Sequence, residues 1–266
     1  MPRPCHLEKF TSYERSVPRA LKGAGAAKVL AGQRRILIKP NLVNASPPPV
    51  TLPVEAVEAL VGAIRGCSDA EIVVAEGAGD LHLETPAIFR ILGYDRLAAA
   101  YGLELVDLNE APLKELKDPS CTVYPSMFLP EILLESYVIS FAVLKAHSLA
   151  DVTLSMKNMI GCAPPSHYQQ GGHWKKSAFH SRIHESIFEL NRYRKPDLAI
   201  IDASVGLAEH HLGGAPCDPP ARKIVAGFDP VAVDAAGARL LGSDWRQVGH
   251  IRLADGVLGE AEVRGG

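Results

Sequence analysis

Short apolar runs rich in isoleucine and valine recur along the chain, and each of them ends on charged or strongly polar residues. Four of these runs are clear, at positions 36–38, 72–75, 137–144 and 198–201. Apolar runs of this kind are typical of strands that are buried on both faces of a parallel sheet. The pattern therefore predicts parallel strands that carry polar side chains at their carboxyl ends.

Between these runs lie segments whose apolar residues are spaced as in an amphipathic helix. The predicted helices cover 53–65, 85–101 with a break at Gly93, 151–160, 181–194 and 229–241, and Thr51 and Asp229 are predicted to cap the first and the last. The predicted strands cover 34–41, 71–75, 103–108, 137–144, 198–203 and 222–226, with a weaker one at 121–129. The chain before residue 34 is predicted to be irregular.

Alternating strands and helices are typical of right-handed βαβ units. We therefore predict an α/β fold with an open, mostly parallel sheet and helices on both faces. A chain of 266 residues is long enough to form one large domain, and we predict a single α/β domain over residues 1–266. A stretch rich in histidine and glycine, at about 161–180, is predicted to be a long loop within it.

Polar side chains at the predicted strand ends form the first candidate site. They are Lys39, Asn41, Glu76, Lys145, His147 and Asp202. Ligands of open α/β sheets bind in the crevice beyond the carboxyl ends of the strands, so these side chains are expected to converge. Lysines and histidine would suit an anionic ligand, and the amide of Asn41 would supply directional hydrogen bonds. The alternative is that each residue is simply the first exposed one after a strand.

Three further polar residues lie on predicted helices. Lys157 and Asn158 follow Lys145 and His147 in the chain, and Lys157 lies off the apolar face of its helix, either toward the site or on the solvated surface. Asp234 lies on a helix of small apolar residues, so its carboxylate must be paired or directed at the site.

His180 and His184 are spaced one helical turn apart, and two imidazoles at this spacing can share a metal ion. No carboxylate follows His180 in the position that completes a helical zinc-protease motif. The two histidines therefore predict a divalent-metal site or, alternatively, a polar face beside a mobile loop.

The composition of the chain argues against several classes of function. The net charge is -2 with neutral histidine, and neither end carries a block of like charge, which argues against binding to nucleic acid or to a membrane surface. No apolar stretch of about eighteen residues and no signal peptide is present, so we predict a cytoplasmic protein. The five cysteines are scattered without a Cys-x-x-Cys pair, and no iron–sulfur cluster is expected on this chain.

Five motifs, in their order and spacing, resemble the domain of unknown function (DUF) family 362. They are KPNLV at 39–43, VLKAH at 143–147, SMKNMIG at 155–161, IDA at 201–203 and GFDPVAVDAAGARLLG at 227–242. The resemblance covers residues from about 34 to 259. It implies an α/β domain with the motif residues Lys39, Asn41, Lys145, His147, Lys157, Asn158, Asp229 and Asp234. Many members carry ferredoxin-type cysteine clusters, which this chain lacks, and no established reaction comes with the family.

These observations favour an enzyme that acts on a small anionic metabolite, with a carboxylate or phosphate held by Lys39, Lys145 and Lys157. His147 would be the general acid–base, kept neutral by the neighbouring lysines, and Glu76 or Asp234 the complementary carboxylate. Proton transfer next to a carbonyl and redox chemistry with a ferredoxin-like electron carrier both remain open, and the cofactor is unknown. The alternatives are a non-catalytic accessory protein for a metal or cluster, and an anion-sensing domain.

Overall fold

The main sheet lies at the centre of the molecule. The structure is a computed structural model that describes residues 5–262. Within these residues the sheet has eight strands in the order β1-β10-β9-β7-β2-β3-β4, with β8 paired to β7. The strands are β1 (His6–Lys9), β2 (Arg35–Lys39), β3 (Glu71–Glu76), β4 (Glu104–Asp107), β7 (Tyr137–His147), β8 (Asp151–Thr153), β9 (Leu198–Leu207) and β10 (Lys223–Gly227).

Five neighbouring strands, from β4 through β3, β2 and β7 to β9, run parallel. Within this sheet, the described residues form antiparallel pairs at β10 with β9, β1 with β10, and the short β8 with β7. The prediction of an open, mostly parallel sheet is confirmed. After β2 the chain builds β3 and β4 on one side and then returns to place β7 on the other side. The carboxyl end of β2 is therefore a topological switch point, where open α/β sheets bind their ligands.

Helices cover both faces of this sheet, as predicted. They are α1 (Tyr13–Ala24), α2 (Ala26–Ala31), α3 (Val54–Arg65), α4 (Thr85–Ile91), α5 (Tyr94–Tyr101), α6 (Glu131–Glu135), α7 (Ser155–Asn158), α8 (Pro165–Tyr168), α9 (Ile183–Arg194), α10 (Pro230–Leu240) and α11 (Gly249–Ala254). Side chains of α1 and α3 pack with Ile36 and Ile38 in one core. Those of α9 and α10 pack with Leu37 and Val73 in the other. Because neighbouring residues of β2 point to opposite faces, one strand contributes to both cores.

The helix predicted for 151–160 is wrong in its first half. Residues 151–153 form β8, which turns back along β7 and pairs with it in antiparallel register, Lys145 opposite Thr153. Asp151 makes this turn with a φ of 62°, in the left-handed region. The helix α7 therefore begins only at Ser155, and a 3-10 turn, Met159–Cys162, continues it.

Other local predictions have mixed outcomes. Gly93, at φ 83°, separates α4 from α5 as predicted, and the side chain of Asp229 accepts the first free N–H groups of α10. Thr51 does not cap α3, since its hydroxyl donates to Ser46 O and Pro53 stands at the cap position.

The segments predicted as irregular or weak also contain regular structure. Residues before 34 form β1, α1 and α2, so that prediction was wrong. The weak strand at 121–129 corresponds to β6 (Ser126–Pro130), which pairs with β5 (Leu113–Lys117) in a separate two-stranded sheet. None of the helices in the described part of the chain has the length and apolarity to cross a membrane.

Candidate functional site

A cavity of about 90 Å³ opens at the carboxyl ends of β2, β3 and β7. Eight of the residues predicted from the sequence line it: Lys39, Asn41, Glu76, Lys145, His147, Lys157, Asn158 and His180. The other lining residues were not among the site residues predicted from the sequence; they include Gly77, Gly161, Trp174, Lys176 and His211. The strand-end residues therefore converge, with the exception of Asp202.

Lys39 and Glu76 form the floor of the cavity. They end β2 and β3, and Lys39 Nζ lies 2.7 Å from Glu76 Oε1 and 2.8 Å from Oε2. The same carboxylate accepts the backbone N–H of Leu42 and of Gly77, each at 2.9 Å. Four hydrogen bonds thus saturate the two oxygens of Glu76, and among residues 5–262 its ion-pair partner is Lys39.

Two asparagines link this ion pair to Lys145. Asn158 Oδ1 accepts from Lys39 Nζ at 3.1 Å and from Asn41 Nδ2 at 3.0 Å. Asn41 Oδ1 in turn accepts from Lys145 Nζ at 2.6 Å, and Lys145 also donates to Val50 O at 2.7 Å. The result is one connected network whose members hold each other in a single arrangement.

Lys145 is completely buried and its two acceptors are neutral oxygens. Burial lowers the pKa of Lys145 to about 7, and the charges of Lys157 and Lys39 act in the same direction while Glu76 opposes them. A neutral amine has two hydrogens and one lone pair, so it can keep both hydrogen bonds and still accept a proton.

Lys157 projects from α7 into the same cavity. Within residues 5–262 its ammonium has no hydrogen-bond or ion-pair partner. Burial lowers its pKa to about 8. Its charge also lowers the pKa of Lys145 and of His147. Lys157 is therefore a cation that lacks a counterion at the mouth of a positively charged site.

The ring of His147 is fixed by its own loop. Its Nδ1 accepts the backbone N–H of Leu149 at 3.0 Å and of Ala150 at 3.1 Å, and its ring stacks on His211 with centroids 3.9 Å apart. Burial and, after it, the charge of Lys157 lower the pKa of His147 far below its usual range. The imidazole is thus neutral, with Nδ1 as acceptor and the proton on Nε2. It is held as a hydrogen-bond donor, whereas the sequence had suggested a proton acceptor.

The loop at 161–180 closes one wall of the cavity through Lys176. Its Nζ donates to Asn109 Oδ1 and to Ala163 O, and its side chain is nearly as buried as that of Lys145. Burial lowers the pKa of Lys176 to about 7, against the opposing charge of Glu76. The neighbouring Lys175 points away from the cavity and pairs with Glu84. Short helical turns at Pro165–Tyr168 and Ser177–His180 lie within this loop.

Two glycines allow the backbone to approach the ion pair. A Cβ on Gly161 would lie 2.3 Å from Glu76 Oε1 and 2.7 Å from Lys39 Nζ. A Cβ on Gly77 would lie 2.3 Å from Gly161 O. Any side chain at either position would displace the floor of the cavity, so the geometry requires glycine at both.

Two predicted carboxylates lie outside the cavity lining. Asp234 accepts from Ser155 N at 2.8 Å, from Ser155 Oγ and from Met156 N at 3.0 Å, so it holds the start of α7. Asp202 accepts from Tyr13 OH at 2.8 Å and from Ser204 N at 2.9 Å. Both carboxylates are paired within the protein, and burial raises the pKa of Asp234 to about 7.

His180 and His184 do not lie on one helix. His180 belongs to the 3-10 turn, Arg182 has non-helical backbone angles, and α9 begins at Ile183. His180 lines the cavity, whereas His184 Nδ1 lies 3.3 Å from His250 Nδ1. The part of the chain that is described contains no group of three or more histidines, cysteines or acids placed to hold a metal ion. The helical spacing on which the metal prediction rested is thus absent.

Comparison with known proteins supports the fold and the family. The chain is similar to the solved structure of the lactate racemase apoprotein from Thermoanaerobacterium thermosaccharolyticum, with a TM-score of 0.57 and 13% identity. The match covers 89% of this chain and 56% of that chain, so this chain spans little more than half of the longer protein. No curated protein matches the chain. The family model described as domain of unknown function (DUF362) matches residues 36–239, and the chain belongs to this family.

Proposed function

We propose that the chain is an enzyme that binds a small anionic metabolite, a carboxylate or a phosphate, in this cavity and moves a proton next to the anionic group. The unpaired ammonium of Lys157 carries the proposal. Lys157 is partly buried, and a partly buried cation without a counterion is costly, so a bound anion would lower that cost. The solved structure that shares the fold is named for lactate, which is itself a small carboxylate, but at 13% identity the likeness supports only the fold.

Lys157 is the anchor for the anion in this proposal, with Lys145 and Lys176 beside it. Lys39 has a different role from the one predicted from sequence, because its charge is already matched by Glu76. It positions Asn158 and, through it, Asn41, so that the network around Lys145 keeps its geometry.

His147 acts as the hydrogen-bond donor. A neutral imidazole with its proton on Nε2 can donate to a carbonyl or carboxylate oxygen and stabilise the negative charge that develops there when a neighbouring C–H loses its proton. The two backbone N–H groups on Nδ1 fix both the tautomer and the orientation of the ring.

Lys145 acts as the base. Its pKa of about 7 leaves a large fraction as the free amine near neutral pH. Its two hydrogen bonds orient the amine, so its lone pair is available to a proton of the ligand. Protonated Lys145 would then return the proton to the same carbon or to a neighbouring atom.

The test is the exchange of ligand C–H for deuterium in D₂O, followed by NMR over a panel of short 2-hydroxy acids, 2-oxo acids and phosphate monoesters. We expect exchange with at least one compound, its loss in Lys145→Met and His147→Phe, and weaker binding in Lys157→Met. Lys175→Met is the matched control, because Lys175 pairs with Glu84 and does not line the cavity. Binding without exchange across the panel would contradict an enzyme and favour an anion-sensing domain. Absence of any anion binding would contradict the site itself.

A further inference from the structure

The charges around the cavity do not balance. Within residues 5–262 its lining contains four lysines and one carboxylate, that of Glu76. Both oxygens of Glu76 contact Lys39 Nζ and each also accepts a backbone N–H. Glu76 therefore neutralises Lys39 and has no hydrogen-bonding capacity left for another lysine.

The other three lysines of the lining have no carboxylate partner in the described part of the chain. Lys145 donates to an asparagine amide oxygen and a backbone carbonyl, and Lys176 does the same with a different pair. Lys157 has no partner at all among the described residues. Lys145 is 0% exposed and Lys176 4% exposed, so bulk water cannot solvate their ammonium groups in place of a counterion.

The histidines of the cavity add no positive charge. His147 stacks on His211, and burial followed by the charge of Lys157 lowers the pKa of both rings, that of His211 to about 3. Burial also lowers the pKa of His180. The excess charge near neutral pH thus belongs to the lysines. Lys145 donates only to neutral oxygens and serves as the free amine in the proposed reaction, so Lys157 and Lys176 remain as the two cations of the cavity without an anionic partner among the described residues.

We infer that the ligand is a small dianion, a dicarboxylate or a phosphate monoester, whose two charges are matched by Lys157 and Lys176. This inference rests on the proposed function and specifies the substrate class of the same site. A monoanion would match only one of these two lysines, whereas a dianion matches both.

The size of the cavity limits the dianion. Its volume of about 90 Å³ has room for roughly six to nine water molecules, at about 10–15 Å³ of such volume for each. This space suits a dicarboxylate or a phosphate monoester of a few carbon atoms.

The test compares ligands of nearly equal size and different charge by titration calorimetry with the 266-residue chain at neutral pH. One pair is malonate and monomethyl malonate, and the other is methyl phosphate and dimethyl phosphate. We expect the dianion of at least one pair to bind at least about tenfold more tightly than its monoanion. The pair with the larger preference identifies the ligand as a dicarboxylate or a phosphate monoester.

The lysine variants locate this preference. Lys157→Met and Lys176→Met should each reduce the preference for the dianion at least about threefold, and the control Lys175→Met should keep it. Equal affinity within both pairs would overturn the inference and leave the proposed function standing if the monoanions still bind through Lys157. If no anion binds at all, both fail. The affinities of dianion and monoanion for the wild-type protein test the inference even if a variant does not fold.

Discussion

Lys39 and Glu76, at the ends of the neighbouring parallel strands β2 and β3, form an ion pair in which Lys39 Nζ contacts both carboxylate oxygens. The two residues are 1% and 2% exposed. Removal of one partner leaves the other charge buried, so Lys39→Met should lower the free energy of unfolding by about 3–5 kcal/mol, measured by urea denaturation.

The double variant Lys39→Met/Glu76→Gln separates charge from packing. It contains no buried charge at this position, and the oxygen of the new side-chain amide would still accept a backbone N–H. We expect the double variant to be more stable than Lys39→Met alone. If the two variants unfold at the same urea concentration, the loss in the single variant comes from packing rather than from the unpaired carboxylate.

Gly161 should tolerate no side chain. A Cβ added at this position would lie 2.3 Å from Glu76 Oε1, so Gly161→Ala must displace the Lys39–Glu76 ion pair. We expect it to weaken anion binding at least about tenfold. Gly62→Ala is the matched control, because Gly62 lies within α3 with open space around the Cβ position. The control should gain about 0.5–1 kcal/mol of stability, since alanine favours a helix more than glycine does. Unchanged binding in Gly161→Ala would contradict the close approach of this backbone to the ion pair.

His147 should remain neutral across the range in which histidine usually titrates. Because burial and the charge of Lys157 lower its pKa far below the usual range, we expect no titration between roughly pH 5 and 8. Nitrogen-15 NMR of the imidazole should show Nδ1 unprotonated and Nε2 protonated. His210, which is exposed and is not among the lining residues, serves as a reference ring in the same spectrum. An imidazolium signal for His147 near pH 6 would contradict the role of neutral donor.

The strand ends could be predicted from the sequence because a single physical rule controls them. An apolar run such as 36–38 must be buried, and the first polar residues after it must lie at the edge of the sheet. Parallel order then places the ends of β2, β3 and β7 side by side. Lys39, Glu76 and Lys145 were therefore predictable as neighbours from the sequence alone.

Residues from loops could not be predicted in this way. Lys176 and His211 reach the cavity from long connections, and no periodicity relates their positions to the strands. Trp174 lies within the loop that was predicted, but nothing in the sequence indicates which of its residues faces inward. The adjacent Lys175 and Lys176 differ completely in surroundings, which only the fold of the loop determines.

Asp234 shows a different limit of what can be predicted from the sequence. Its apolar helix correctly indicated that the carboxylate is buried and paired, yet two of its three hydrogen bonds come from backbone N–H groups of a segment that begins 79 positions earlier. Hydrogen-bond donors of the main chain leave no signal in the sequence, so a side chain that holds α7 is hard to distinguish from one that faces the cavity.

The role of Asp234 is testable through two substitutions. Asp234→Ala leaves the N–H groups of Ser155 and Met156 buried without an acceptor, and we expect a loss of at least about 2 kcal/mol in the free energy of unfolding. Asp234→Asn keeps one acceptor oxygen and should bind anions with nearly wild-type affinity. If Asp234→Asn is stable and binds the ligand but loses all deuterium exchange, Asp234 takes part in the reaction and the positioning role is wrong.

Lys145 should give the stability of the protein a characteristic pH dependence. Its pKa is lowered from 10.5 to about 7 in the folded chain, so folding favours the neutral amine. Its stabilising contribution is complete above the unfolded value and is lost as the pH falls toward 7. Between these values Lys145 should add about 1.4 kcal/mol to the free energy of unfolding for each unit of rising pH.

Lys145→Met should lose this part of the slope, because methionine does not titrate. We expect the difference in free energy of unfolding between wild type and Lys145→Met to shift in favour of wild type as the pH rises from 7 to about 10. The subtraction cancels the titrating groups that lie far from Lys145, which both proteins share. Urea denaturation at several pH values measures both curves. Lys175→Met serves as the control, because wild-type Lys175 forms an ion pair with the exposed Glu84. Parallel curves for wild type and Lys145→Met would mean that Lys145 keeps an ordinary pKa, which would remove it as the base in the proposed reaction.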